Sequence, residues 1–356
     1  MRALQICIPP VAPGFLTPMR VNALHRALRH HVSDSQHPPT TSAGPSSATP
    51  TSIPAIFLAF EPAPAYTVPR AKDKDKVRSD LQHALHAPHL SASGGRGLGS
   101  SETGPGEEEQ HASGELVLKP DILFSARRRA VYRGPGMLAL WPILDARSDT
   151  LSRLRDEDAE KALAKAAIAF LSRVYGDRGQ GKISHRPGLG LWVDSKPFRE
   201  ARQIVGIEVF PRDPEQGEEE GKEKEKEAAS GPISCRIDIH LDVPVRGPSE
   251  TNPWARLVDM GLGGQDTTSV AAELSVTDKH SHTESMVTGS AMAELGVAFA
   301  AELGLEKPVL VGPEEAFGEG WRQMGYEEPV QDPSKRSWLA EALTWVGASV
   351  IFGFFE

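Results

Sequence analysis

The sequence predicts an α+β fold in which a mixed or antiparallel sheet is backed by helices. Three observations carry this. In residues 233–243, Ile233, Cys235, Ile237, Ile239, Leu241 and Val243 alternate with Ser234, Arg236, Asp238, His240 and Asp242. That period belongs to a strand with one face in the core and the other facing water or a cavity. Val205, Ile207 and Val209 repeat the pattern just upstream, so the two runs read as a hairpin with a long loop. Residues 156–175 place Leu163, Ala167, Phe170, Leu171 and Val174 on one face at helical spacing. Strand pairs joined by hairpins, with helices apart from them, define the class.

The remaining elements follow in order. Leu4 to Ile8 reads as a first strand and Val21 to Val32 as a first helix. Pro54 to Phe60 and Met137 to Leu144 read as strands. The helix over 156–175 begins with Asp156, Glu157 and Asp158, which suit the positive end of its dipole, and Gly176 suits its stop. Residues 286–303 form a second long helix, with Met292, Leu295, Phe299 and Leu303 on one side.

Between these elements lie three polar insertions. Residues 34–54 are rich in Ser, Thr and Pro, residues 91–114 in Gly, Ser and Glu, and residues 213–231 in mixed charge. None buries enough apolar surface to offset its ordering entropy, so disorder or mobile loops are expected there. The folded domain is expected to span 1–310, followed by a C-terminal extension over 311–356. From Trp338 to Phe355 that extension carries one charge, Glu341, and reads as an apolar helix. Eighteen residues is near the lower limit for a membrane span, and a buried or docked helix is the commoner use of such a segment.

Composition narrows the function. Charged residues are 24% and hydrophobic residues 39%, ordinary values for a globular protein. The net charge of −9 argues against a nucleic-acid partner. Two cysteines, Cys7 and Cys235, make no disulfide framework, and neither has zinc-ligand spacing around it. Asp238, His240 and Asp242 share the polar face of one strand. They span too far along it to converge on one ion, so no metal is expected. The N-terminus has two readings. No acidic residue precedes Asp34, and Arg20, Arg26 and Arg29 sit on a helix, as in a transit peptide. The strand and helix of the fold are the preferred reading of the same residues, and they leave no room for a cleavable leader.

Three blocks carry the chemistry. They are ARRRAVYRGPGMLALWPILD at 126–145, RPGLGLWVDSKPFREARQIVGIEVF at 186–210 and NPWARLVDMGLGGQDTTSV at 252–270. In that order and spacing they resemble the lipoyl(octanoyl) transferase family, of which the chain is identified as a divergent, fungal-type member. The resemblance implies the catalytic-domain fold shared by biotin and lipoate protein ligases. It also implies transfer of an octanoyl group from acyl carrier protein to a lysine of a lipoyl domain. By the same resemblance the chain is a monomer that needs no cofactor, with acyl carrier protein and lipoyl domains as partners. Family members begin with a strand and helix like those at the N-terminus here. The resemblance places the protein in the mitochondrion, with the cytoplasm as the alternative.

Residue by residue, Tyr132, Gly134, Pro135 and Gly136 agree with the first block of the family, while Arg133 replaces a His and Met137 a Gln. The Gly-Pro-Gly turn would let the backbone approach a substrate without Cβ atoms in the way. In the third block Val258, Gly261, Leu262, Gly264, Thr268 and Ser269 agree. The resemblance thus assigns substrate binding to Tyr132, Arg133, Gly134, Pro135, Gly136, Gly261, Thr268 and Ser269. Its two catalytic positions are changed. Met260 stands where the family has its nucleophilic cysteine, and Gln203 where it has a lysine. A thioether loses no proton and forms no acyl-enzyme, and an amide neither accepts nor delivers a proton near neutral pH. Cys235, on the apolar face of its strand, reads as a buried cysteine, and Lys196 as a surface lysine in a loop. Two functions therefore stand open. One is an octanoyltransferase. The other is a catalytically inactive homologue that binds an acyl chain, acyl carrier protein or a lipoyl domain. An ATP-dependent ligase is weaker, because no Gly-rich phosphate loop with following basic residues is present.

Overall fold

The structure is a computed structural model. It describes residues 3–7, 18–34, 55–69, 85, 120–125, 130–145, 151–176, 182–194, 201–210, 232–249, 251–262, 266–277 and 286–311. The three expected insertions beyond Asp34, the apolar helix over 338–355, Lys196 and Gly264 lie outside the described residues. The strands are β1 (Ala3–Cys7), β2 (Ala55–Phe60), β3 (Ala65–Pro69), β4 (Asp121–Ser125), β5 (Val131–Arg133) and β6 (Met137–Leu144). They continue with β7 (Lys182–Arg186), β8 (Gly190–Asp194), β9 (Arg202–Phe210), β10 (Ile233–His240) and β11 (Glu306–Val311). The helices are α1 (Pro18–Asp34), α2 (Asp156–Tyr175), α3 (Pro253–Asp259), α4 (Val270–Thr277) and α5 (Gly289–Glu302). The class is α+β, as the alternation and helical periods require.

The contacts divide the chain into two compact units. The larger comprises Met1–Ala63, Gly134–Val243 and Gln265–Glu356, and the smaller Pro64–Arg133 and Pro244–Gly264. The larger unit is built on an eight-stranded sheet in the order β11-β1-β2-β6-β10-β9-β8-β7. β1 runs parallel to both β2 and β11, and every other pairing is antiparallel, so the sheet is mixed. The predicted hairpin is β9 and β10, with Ile237 opposite Ile207 and Asp238 opposite Gly206.

Each sheet face has its own helical cover. On one face Val21, Leu24, Leu28 and Val32 of α1 bury against Ile56, Leu58 and Phe60 of β2 and Ala139, Trp141 and Ile143 of β6. Their spacing of three and four residues puts them on one stripe of the helix. On the other face α2 and α5 cover Phe57, Leu138, Leu140, Val205, Ile207, Ile237 and Ile239. Phe57 of β2 stacks on Phe299 of α5 with ring centroids 5.3 Å apart. The predicted stripe of α2 is buried through Leu163, Ala167, Phe170 and Leu171. Gly176 ends that helix at φ +54°, and its N–H reaches the carbonyls of Ser172 and Arg173. Cys235 is fully buried on the face that α2 and α5 cover.

One expectation for β10 is corrected. Its polar face was expected to meet water or a cavity, yet all eight residues are buried. The polar side chains are accommodated because they find charge and carbonyl partners inside the fold. The Arg236 guanidinium lies 3.2 Å from Glu208 and 3.1 Å from Asp238, and His240 Nδ1 lies 3.2 Å from the Thr268 carbonyl. The Asp238 contact falls off the N–H axis of Arg236 Nε, so charge rather than hydrogen-bond direction holds that pair.

Arg236 also lies over the rings of Trp141 and Phe210, at 5.5 and 5.9 Å. His25 of α1 meets the same two rings, edge-on to Trp141 at 4.9 Å. Burial, with Arg29 on the next turn, pushes the His25 pKa down from 6.5 to about 4. The folded state therefore favours neutral His25. Its contribution is complete above pH 6.5 and falls as the pH drops from there to about 4, where the unfolded chain takes up a proton and the native one does not. The expected loss approaches about 3 kcal/mol. Thermal unfolding at pH 7 and pH 4 should show a smaller acid loss for His25→Phe than for wild type. Equal losses would refute this.

The smaller unit holds a three-stranded sheet in the order β4-β3-β5, with β3 parallel to β4 and antiparallel to β5. Its core joins Tyr66, Tyr132 and Trp254, with ring centroids 5.2 Å apart for the first pair and 6.2 Å for the second. The Tyr66 hydroxyl bonds to Arg256, yet burial outweighs that cation and pushes the phenol pKa upward.

Candidate functional site

The predicted site residues fall in both units. Gly134, Pro135, Gly136, Gln203, Thr268 and Ser269 belong to the larger, and Tyr132, Arg133, Met260 and Gly261 to the smaller. In the larger unit the Gly-Pro-Gly turn leads into β6. Gly136 has φ +85°, its carbonyl accepts from the N–H groups of Leu241 and Asp242 at 3.0 Å each, and its N–H donates to Glu61 at 2.7 Å. A Cβ there would lie 2.5 Å from the Val243 nitrogen. Glycine is therefore required at 136 by the approach of the chain's own 241–243 segment.

Gln203 begins the stretch of β9 that the 266–268 segment joins. Its N–H donates to the Asp266 carbonyl at 2.7 Å, and its carbonyl accepts from Thr268 N–H at 2.9 Å. Its side chain is buried, with 6% exposure. Nε2 donates to the Leu189 carbonyl at 2.6 Å and, more weakly, to the Val205 carbonyl at 3.5 Å. The amide thereby ties the β7–β8 turn to β9. The same junction carries an irregularity in the ladder: Leu191 pairs with Val205 but Trp192 with Gln203. The extra residue lets Ile204 and Val205 both enter the core.

Thr268 and Ser269 are buried where α4 begins. Ser269 Oγ accepts from Ala272 N–H at 3.3 Å, as an N-cap does. Thr268 Oγ1 donates to Glu273, which is itself buried. Burial first, and then the nearby Glu273 charge, push the Tyr175 phenol pKa upward. The three side chains read from sequence as a metal-like row take separate partners: Asp238 the Arg236 cation, His240 the Thr268 carbonyl, and Asp242 the Met286 N–H at 3.3 Å.

In the smaller unit the third block starts a helix. Asn252 caps α3 by accepting from the N–H groups of Trp254 and Ala255 at 3.0 and 3.2 Å, and Pro253 follows at the first helical position. Met260 is the C-cap and is half-buried. Gly261 follows at φ +68°, and its N–H reaches the Val258 carbonyl at 2.9 Å. Arg133 donates to Thr67 Oγ1 at 3.0 Å, and Tyr132 is buried between Tyr66 and Trp254. The sequence signal for the Asn252 cap is Asn-Pro before an apolar run.

Sequence reasoning did not find Glu61, Glu208 or Glu273, whose partners lie far away in sequence or on another element. A surface groove of 410 Å³ between the start of α2 and the end of α5 has a floor of Leu151, Leu154, Ala162 and Leu303. None of the predicted site residues lines it. Among the described residues no His, Cys, Asp and Glu group has metal-site geometry, and no helix is long and apolar enough to cross a membrane.

No protein-family model and no curated relative matches the chain. Among solved structures it is similar to a bipartite lipoate protein ligase described with its E2 lipoyl domain from Thermoplasma acidophilum. That match has 10% identity and a TM-score of 0.40, and covers 93% of this chain and 100% of that one. A lipoate-protein ligase A bound with ATP matches at 8% identity and a TM-score of 0.38, covering 95% of this chain and 97% of that one. LipL1 of P. falciparum in complex with lipoate matches at 6% identity and a TM-score of 0.38, covering 90% and 70%.

Proposed function

We propose that the chain is a lipoyl(octanoyl) transferase-like protein that holds an acyl group or its carrier without turning it over. The three sequence blocks support the family reading. The engagement of Gln203 carries the loss of turnover. Where the family keeps a proton-handling lysine, this chain has a buried amide with its Nε2 committed to backbone carbonyls. An amide has no proton to exchange near neutral pH. Met260 supports the same reading, because a thioether cannot carry an acyl group as a thioester. On this reading the partners are octanoyl-acyl carrier protein and lipoyl domains, the protein acts as a monomer, and its compartment is the mitochondrion or, alternatively, the cytoplasm.

The test is to incubate the purified chain with octanoyl-acyl carrier protein and a lipoyl domain, then measure intact masses. The expected outcome is binding of octanoyl-acyl carrier protein, no octanoyl mass on the chain and no octanoylated lysine on the lipoyl domain. An octanoyl adduct mapped to Cys235, or an octanoylated lipoyl domain, would identify a working transferase and overturn the proposal.

A further inference from the structure

The groove between the start of α2 and the end of α5 combines an apolar floor with a charged rim. Its 410 Å³ falls within the range of small-molecule sites, about 300 to 1,000 Å³. Leu151 and Ala162 are buried in the floor, and Leu154 and Leu303 are half-buried beside them. The rim carries Arg153, Lys161 and Lys165 against Asp158 and Glu302.

Both rim carboxylates already face cations. Asp158 lies 3.1 Å from Arg155, which stands outside the groove, and 3.8 Å from Lys161. Glu302 of α5 lies 3.6 Å from Lys165 of α2. The two lysine contacts are longer than a charge-assisted hydrogen bond of about 2.8 Å, so each ammonium keeps N–H donors for another acceptor. Arg153 is exposed and has no ion-pair partner among the described residues. The groove is thus a cationic rim over an apolar floor, on a chain whose net charge is −9. A guanidinium takes a carboxylate in two parallel hydrogen bonds, whereas an ammonium head would meet three like charges.

We propose that this groove binds an anionic amphiphile, a single carboxylate on a short unbranched hydrocarbon tail. The carboxylate sits on Arg153, and the tail lies along the floor of Leu151, Leu154, Ala162 and Leu303. The site is separate from the three sequence blocks, none of whose residues lines it, and it does not rest on the family reading.

The test is calorimetric titration of the full chain with hexanoate, octanoate and octylamine, each below its micelle concentration. Octanoate should bind at least about 10-fold more tightly than octylamine, which shares its tail and reverses its charge. It should bind at least about 4-fold more tightly than hexanoate, as two half-buried methylenes require. Arg153→Ala should weaken octanoate about 10-fold at an unchanged unfolding midpoint, because the side chain is exposed and unpaired. Arg173→Ala, an equal loss of charge near the other end of α2, should leave octanoate binding as it is. Equal affinity for octanoate and octylamine, or for octanoate and hexanoate, overturns the site. So does octanoate binding unmoved by Arg153→Ala, or no octanoate binding at millimolar concentration. The functional reading is judged separately, on octanoyl-acyl carrier protein, and survives each of these failures.

Discussion

Gly190→Ala should lower the unfolding midpoint by about 10 °C or more, the largest effect expected of a Gly→Ala change among the described glycines. Gly190 sits at φ +109°, where β8 meets β9. A Cβ there would lie 2.0 Å from the Val205 carbonyl oxygen, 2.9 Å from the Ile207 nitrogen and 3.0 Å from the Val205 carbonyl carbon. All three are backbone atoms, so no side-chain rotation relieves the clash and the strands must part. Overpacking of a core costs about 1–3 kcal/mol when side chains can move, and this case lies above that range. The ladder irregularity at Leu191 and Trp192 and the Gln203–Leu189 bond would be lost together. Gly188→Ala is the control. Gly188 also has positive φ, +72°, but a Cβ there meets nothing within 4 Å. It should lose only the conformational term, about 1 kcal/mol. Equal midpoints for the two variants in thermal unfolding would show that the β8–β9 approach is not a constraint.

Arg236→Leu should cost about 3–5 kcal/mol. Arg236 is 8% exposed and lies within ion-pair distance of Glu208 and Asp238. Removing it leaves Asp238 buried without its cation, and the desolvation of that carboxylate is then no longer offset. It also removes the guanidinium from Trp141 and Phe210. Arg236→Lys should be intermediate, since the charge survives but the planar fork that spans two carboxylates and two rings does not. Replacing Arg236, Glu208 and Asp238 together by apolar residues should recover most of the loss, because no buried charge then remains unpaired. Urea unfolding of the three proteins gives the comparison. A loss below about 1 kcal/mol for Arg236→Leu would mean that the pairs behave as solvated surface pairs.

Much of the larger unit's framework was legible in the sequence. Met137–Leu144 and Asp156–Tyr175 form the predicted strand and helix, and the pairing of β9 with β10 follows from two alternating runs. These elements are long and periodic, so many residues repeat the same signal. β7, β8 and β11 were not legible, since Lys182, Ser184, Arg186, Asp194, Glu306, Lys307 and Pro308 break up their short apolar runs, whereas the equally short Ala55–Phe60 is apolar throughout. The same applies to β3, β4 and β5, and their sheet joins residues near 65 to residues near 121 and 132. No local pattern encodes a pairing across that distance.

What the sequence determined alone is the α+β class, the order of the long elements, and the chemical character of the side chains at 203 and 260. That character follows from atom types: an amide and a thioether exchange no proton near neutral pH wherever they sit. Tertiary structure decided what Gln203 and the residues around these positions do. Gln203 ties a turn to a strand, Gly136 admits the 241–243 segment, and Gly261 and Ser269 shape helix ends. It also decided that the polar face of β10 is buried. Alternation tells which residues share a face, but whether that face meets water depends on Glu208 from the next strand and Thr268 from a distant loop. Such contacts join residues that are far apart in sequence, and a period along one strand carries no information about them.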